Sequence, residues 1–482
     1  MKQAEPRRDM EPVLDLECIK VDLVPTDAVG DLRMAIQGEV FLPEDEGYAA
    51  ARFSWNLTID HRPSLVVVAA SETDVAIALR FANQYRLPVA VQATGHGAPR
   101  TLSSGLLLVM SKLNSVEVDP DTATAKVGGG AVWQSVIEKA YPHQLVPISG
   151  SAPHVGVVGY TLGGGYGLLS RKHGLAVDSV VAMRIVTPEG QIRDVSATEH
   201  SDLYWAILGG GGGFGVVTEM TMRLHPHGSL FGGSVMFDAS LADSVYSTYA
   251  AWTKTLPDEV SSALVMMTFP PVPMVPEFLH GRSMLIIAGT AMAEPAEAEA
   301  LWAPIRSMPG AEFDSFRPMT YPETATVFND PVDPLPAQGR GVLLSDCTQE
   351  TVDKLLVAIG TPALSPNLMI QLRHIGGAIG RKGRHENAIG DRRRANYILY
   401  FLGIPMGPVT PQMMEDHAEN AFRILAEDVV CRGPLNWLGE GMVKAREIRD
   451  NFHEDEYARL VEIKKEIDPE NRLCFAGLGL DD

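Results

Sequence analysis

Three glycine-rich segments hold the residues of this chain whose types and spacing could do chemistry. The first, Thr94-Gly95-His96-Gly97-Ala98, surrounds a single functional side chain, His96, with small residues. Such a turn lets successive amide N–H groups converge on a phosphate while the imidazole projects from it. A tight turn with an incidental histidine is the alternative. The second runs from Gly150 through Ser151, Ala152, Pro153, His154 and Val155 to Gly156, then through Gly159 to Gly163, Gly164, Gly165 and Gly167. Backbone bared in this way offers a smooth surface for a planar ring. In the third, five glycines at 209–213 run into Phe214-Gly215-Val216-Val217-Thr218, an apolar strand pattern that a flexible linker would not lead into. Glycine costs about 0.5–1 kcal/mol against alanine in regular elements, so such clusters call for a backbone reason, usually close approach to a ligand. None of the three fits a GxGxxG turn opening a helix or a GK[ST] loop, which disfavours NAD and ATP sites of those kinds. Cys18, Cys347, Cys431 and Cys474 are far apart and lack metal-ligand spacing, so no metal is expected and reduced, buried thiols are.

The elements that must position these segments have legible patterns. Residues 63–70 read as a buried strand, Ser71 with Asp74 as a capping box, 74–85 as a helix and 87–91 as a second strand, a β-α-β opening. Short strands follow at 106–110, 116–118, 125–127 and 180–186, the last ending at Thr187-Pro188-Glu189-Gly190. Residues 1–35 show no period and predict an extended or partly ordered arm. Beyond residue 225 longer amphipathic stretches appear, among them 289–307 and 348–359, and residues 436–468 are helical in composition until Asp468-Pro469. The expected class is α+β, with more core than one small domain can organise.

The chain has 482 residues and a formal charge of -20, a field that repels phosphate backbones and anionic membranes, so neither nucleic acid nor membrane is an expected partner. The opening residues lack the apolar run of a secretory signal and no segment is long enough to span a bilayer, which gives a cytoplasmic expectation. Oligomeric state is not legible.

In order and spacing, these pieces resemble the berberine bridge enzyme-like branch of the FAD-linked oxidases (vanillyl-alcohol oxidase, or PCMH, type), including its 6-hydroxynicotine oxidase-like bacterial members. Beside the glycine segments, the matching pieces are Gln37-Gly38-Glu39-Val40, Trp55, Asp60-His61-Arg62-Pro63, 110–114, 127–130, 171–178 and Asp202-Leu203-Tyr204-Trp205-Ala206. The resemblance implies a two-part FAD-binding domain over 36–225, a substrate domain over 226–425 with an antiparallel sheet covered by helices, and a segment 426–482 that returns to the FAD domain. It implies FAD held by Thr94, Gly95, His96, Gly97, Ala98, Gly150, Ser151, Val155, Gly156, Gly159, Gly163, Gly164, Gly165, Gly167, Gly215, Val216, Val217 and Asn436, with His96 joined through a ring nitrogen to the flavin 8α-methyl. Some members add a cysteine link where this chain has Ala152, so one covalent bond is expected. Gln92, Thr94 and Gly213 depart from the usual pattern around the turn and the third cluster.

The implied activity is hydride transfer from a CH–OH or CH–NH group of a small organic molecule to flavin N5, with O2 as acceptor. Val155 supports O2, since valine there accompanies oxidases in the plant branch. A dehydrogenase, a cyclising or oxygenating enzyme, and a flavin-binding protein with lost catalysis are the alternatives. The familiar tyrosine base is replaced by Pro434, which leaves Tyr397, Tyr400, His374 and Glu440 as catalytic candidates. Alternation along 368–378 puts Gln371 and Arg373 with Met369 on one face and Ile370, Leu372 and His374 on the other, so Gln371, Arg373 and Trp437 are the substrate-binding expectations.

Overall fold

A computed structural model of the chain describes residues 24–273, 275–381, 383–439, 443 and 445–474. The β-branched run at Leu65–Val68 forms the centre of a four-stranded sheet in the order Glu39–Phe41, Leu65–Val68, Leu106–Val109, Val89–Gln92. Leu65–Val68 and Val89–Gln92 both pair in parallel with Leu106–Val109, so the two strands of the β-α-β opening are separated by a third. The helix between them, Glu72–Gln84, begins where Ser71 Oγ accepts the amide of Asp74. Asp74 does not complete a capping box. Its carboxylate accepts the amides of Gln37, Gly38 and Ala70 instead, tying the first strand to the helix start through charge-assisted bonds.

A five-stranded antiparallel sheet follows, in the order Val116–Asp119, Thr124–Gly128, Val216–Arg223, Val180–Val186, Ile192–Ser196. The third glycine cluster enters this sheet directly: the helix Ser201–Gly210, kinked at Leu208 and Gly209, gives way to a short turn and then to the strand Val216–Arg223.

The remaining large sheet has eight strands, all antiparallel, and holds Met369–His374 beside Tyr397–Gly403 near its middle. One face is covered by the helices Ala242–Thr253, Pro295–Arg306, Gln349–Ile359 and Pro411–Ile424 around a core that includes Tyr246, Tyr249, Trp302, Leu372, Tyr397 and Phe401. The other face looks toward the glycine segments. The expected roof is therefore present, and the whole is the mixed α+β, PCMH-type architecture of the sequence reading.

Three sequence expectations are corrected. The arm at 1–35 contains the helix Thr26–Ala35, which buries Val29 and Leu32 against the first sheet, while residues 1–23, with Cys18, lie outside the described residues. The stretch 289–307 is divided between the strand Ser283–Ala291 and the helix Pro295–Arg306, because β-branched residues precede Pro295 at a helix start. Residues 436–468 form a single turn at Leu435–Trp437 and two helices, Ala445–Arg449 and Glu454–Ile467.

Burial holds several histidines neutral. It pushes His61 and His173 down to about 4, and His96, His225 and His374 down to about 3, with neighbouring cationic or histidine groups adding to each. Their folded values lie below the ordinary value near 6.5, so the unfolded chain takes up protons first as pH falls. The stabilisation is full above about pH 6.5 and is lost as pH drops toward 4. Thermal unfolding followed at pH 7.5, 6.0 and 5.0 is expected to show a falling melting temperature; an unchanged one would show that these imidazoles do not govern the acid limb.

Candidate functional site

Val89–Gln92 ends at the first glycine turn, and the main chain there is fixed from outside by Trp55 and Asn56, whose amides donate to the carbonyls of Thr94 and Gly95. Gly95 has φ +75°, and a Cβ on it would lie 2.7 Å from Ser54 Cα, so no side chain is admissible. His96 stacks on Trp55 with ring centroids 4.3 Å apart and lies 4.9 Å from the ring of His154. Its Nδ1 is 2.7 Å from Thr94 Oγ1, whereas Nε2 is buried and has no partner. Burial first, and His154 second, keep this imidazole unprotonated near neutral pH.

The turn opens onto a cavity of about 410 Å3 between the glycine segments and the eight-stranded sheet. Thr94, Gly95, His96, Gly97, Ala98, Gly150, Ser151, Val155, Gly156, Gly159, Gly163, Gly215, Val216, Val217 and Asn436 all line it. Gly164, Gly165 and Gly167 do not line it. They answer to internal packing: a Cβ on Gly165 would lie 2.5 Å from that of Ala176, and one on Gly167 would lie 2.3 Å from the carbonyl oxygen of Ser149. Gly209 likewise makes room for Ala388 and Ile389.

From the opposite lobe, Arg373 and Trp437 reach the cavity and Gln371 does not line it. Gln371 pairs across the sheet with Tyr400, whose ring lies 5.5 Å from that of Trp437, so both stand on the cavity-facing side behind the lining. Tyr397 and His374 are turned away. Tyr397 is enclosed by the helices, with its hydroxyl 2.6 Å from that of Thr253, and His374 Nε2 receives Arg171 at 3.0 Å. Strand alternation produces this result, since 397 and 374 share the face of Leu399 and Leu372. Glu440 lies outside the described residues.

Among the lining side chains absent from the sequence reading, Tyr160 bears most on the chemistry. Tyr160, within the helix Val157–Leu162, has a buried hydroxyl without a partner and lines the cavity beside Gly159 and Gly163. The signal was present: it is a phenol set between Gly159 and the glycines at 163–165. Burial raises its pKa above the ordinary tyrosine value, an effect opposed by the Arg373 charge. Tyr166 also lines the cavity with an unpartnered hydroxyl, and burial pushes it up to about 12. Both are phenols rather than phenolates at neutral pH.

The floor is clamped by Asn436. Its Nδ2 donates to the Tyr160 carbonyl at 2.9 Å and its Oδ1 accepts the Gly165 amide at 3.1 Å. Gly163 admits this contact because a Cβ there would lie 2.6 Å from Asn436 Nδ2.

Residues 63–196 match the family model of the FAD binding domain. (R)-6-hydroxynicotine oxidase of Paenarthrobacter nicotinovorans is 35% identical over 194 residues, covering 40% of this chain and 42% of that protein. The uncharacterized FAD-linked oxidoreductase YgaK of Bacillus subtilis is 26% identical over 450 residues, 91% of this chain and 96% of that one. The sequence match thus spans less than half the length of the first of these relatives and nearly all of the second. Among solved structures, 6-hydroxy-D-nicotine oxidase from Arthrobacter nicotinovorans superposes with a TM-score of 0.77 at 23% identity, covering 91% of this chain and 97% of that one. A chitooligosaccharide oxidase gives 0.81 at 18%, covering 92% and 98%. The chain is thus similar in sequence, over its FAD binding domain, to FAD-linked oxidoreductases, and similar in fold to oxidases of known structure. Among the described residues no helix is long and apolar enough to cross a membrane, and no cluster of His, Cys, Asp or Glu could hold a metal ion.

Asn436→Ala removes two hydrogen bonds of a part-buried clamp and is expected to destabilise the fold by about 1–3 kcal/mol in chemical denaturation. Gly163→Ala should cost a similar amount through the clash, and the double variant less than the sum, because the methyl then has room. Strict additivity would show that the two positions do not share a contact.

Proposed function

We propose that the chain is an FAD-dependent oxidase acting on a CH–OH or CH–NH group of a small organic molecule, with a single covalent flavin bond through His96. The observation that carries the reading is the unpartnered, unprotonated nitrogen of His96 inside a cavity floored by glycine backbone. A ring nitrogen needs a free lone pair to bond carbon, and this histidine keeps one at neutral pH. Residues fit the group in other respects as well: the 94–98 turn lines the cavity with small residues that a pyrophosphate could approach, and at Gly97 and Gly159 an added Cβ would meet nothing within 4 Å, which leaves room for a flat ring. Ala152 lines the same cavity and has no sulfur for a second link.

When bound, FAD supplies a hydride acceptor and a path for two electrons to O2. The chain's own residues supply the rest. Tyr160 offers a hydroxyl that donates to the substrate heteroatom and orients it, in the cavity for which the sequence left Tyr400, Tyr397, His374 and Glu440 as catalytic candidates. Tyr400 and Gln371 buttress Trp437 and the roof strand, and Trp437 with Leu435 closes the cavity against water. The oxidase reading rests on Val155 in the floor and on the oxidases among the similar proteins.

Acid precipitation of the purified protein is expected to leave the yellow colour in the pellet, and His96→Ala to release it to the supernatant or yield protein without flavin. Acid-stable colour in that variant would remove His96 from the bond, and a colourless wild-type preparation would overturn the flavoenzyme reading. Tyr160→Phe should keep its flavin content and lower the rate of flavin reduction by substrate by about 100-fold through lost orientation. An unchanged rate would exclude the hydroxyl from positioning the substrate.

A further inference from the structure

Apart from His96, the polar side chains left unsatisfied among the residues that line this cavity can donate. Arg373 is 9% exposed, and its guanidinium carbon lies 4.8 Å from the ring centroid of Trp437 and 5.0 Å from that of Phe328. These rings fix the plane of the fork without supplying an acceptor. Its one hydrogen bond is a long one, 3.4 Å, to the Tyr166 carbonyl; its Nε is buried and unpartnered. No carboxylate among the described residues comes within ion-pair distance of it, although it feels the charge of Asp330 from further away. Tyr160 and Tyr166 line the same cavity, and their buried hydroxyls also lack partners. Neither Asp nor Glu occurs among the lining residues.

A buried guanidinium without a counter-ion is costly, and the usual remedies are a paired carboxylate or a ligand that brings one. Here the described residues provide none in contact, while the fork is held between two rings at the wall of the space between roof and floor. We infer that Arg373 receives a carboxylate carried by the substrate, so that the molecule oxidised at this site is a small hydroxy acid or other anionic compound rather than a neutral sugar or a cationic amine. The inference rests on the flavoenzyme reading and narrows its substrate class. A carboxylate accepts at both oxygens, which matches a bidentate guanidinium with a phenol beside it. An ammonium group would meet a cation and no compensating anion in the lining. Arg100 is a second cation of the lining, but it stands at the 94–98 turn, with its Nε donating to the Val443 carbonyl, on the side suited to the cofactor's phosphates.

The test uses the full-length, flavin-loaded protein with benzoate and its uncharged counterpart benzamide as probes, read by flavin absorbance and by melting temperature. Benzoate is expected to bind at least tenfold more tightly. Arg373→Gln should abolish the difference while retaining flavin, and Arg373→Lys should keep a reduced preference for benzoate. Equal binding of the two probes, binding of neither, or a benzoate preference that survives in Arg373→Gln would overturn the assignment. Loss of flavin from Arg373→Gln with the preference for benzoate intact would assign the guanidinium to the cofactor instead. Protein without flavin fails the flavoenzyme reading, and the melting-temperature comparison still reports on Arg373; yellow protein indifferent to charge fails only the present inference.

Discussion

The site depends on a contact between side-chain amide and bare backbone. Asn436 bonds both the Tyr160 carbonyl and the Gly165 amide, and it does so from a segment 271 to 276 residues away in sequence. Two peptide groups that would otherwise need water are satisfied by one planar amide, which requires that Gly163 carry no side chain. Once that clamp is set, Tyr160 is held in place, Trp437 follows one residue later onto the roof, and Leu435 and Leu438 close the sides of the cavity. Floor, roof and rim are consequences of a single docking event.

Within this frame, low polarity governs the chemistry. His96 is kept neutral by the same desolvation that leaves its Nε2 without a partner, and Tyr160 and Tyr166 are kept as phenols. Arg373 keeps its charge despite burial because a guanidinium is too strong a base to lose its proton under such conditions. The cavity therefore combines two fixed positive charges, Arg100 at the turn and Arg373 at the roof, with several neutral polar groups, and its electrostatic character is set by what burial can and cannot neutralise.

Much of this was legible in the sequence where a local rule governs. Strand alternation separated Gln371 and Arg373 from His374, and the cavity confirms that Arg373 and His374 are parted to opposite faces. The glycine turn around His96 lies where its composition indicated. Less legible was whatever depends on contacts between distant segments. Gly164, Gly165, Gly167 and Gly209 belong to clusters whose density suggested a ligand, yet their room is taken by Ala176, Ser149 and Ile389 of the protein itself. Asp74 obeys the spacing of a capping box but is drawn off by amides at Gln37 and Gly38, a tertiary claim no helix rule could foresee. Tyr160 and Tyr166 are less legible for the opposite reason, since they stand among glycines whose density dominates the local pattern.

Lys464 is fully buried, with its ammonium bonded to the Gly213 carbonyl and to Asp468. The two ends of that bond are 251 residues apart. At ribosomal rates of about 5–20 residues per second, the third glycine cluster waits roughly 10–50 s before its anchor is made. During that interval the strands of the roof sheet are made, but the Gly213 carbonyl still lacks its buried ammonium. A ribosome that stalls between the roof strands and Lys464 leaves the third glycine cluster unanchored, with polar backbone and neighbouring apolar side chains exposed to chaperones and proteases.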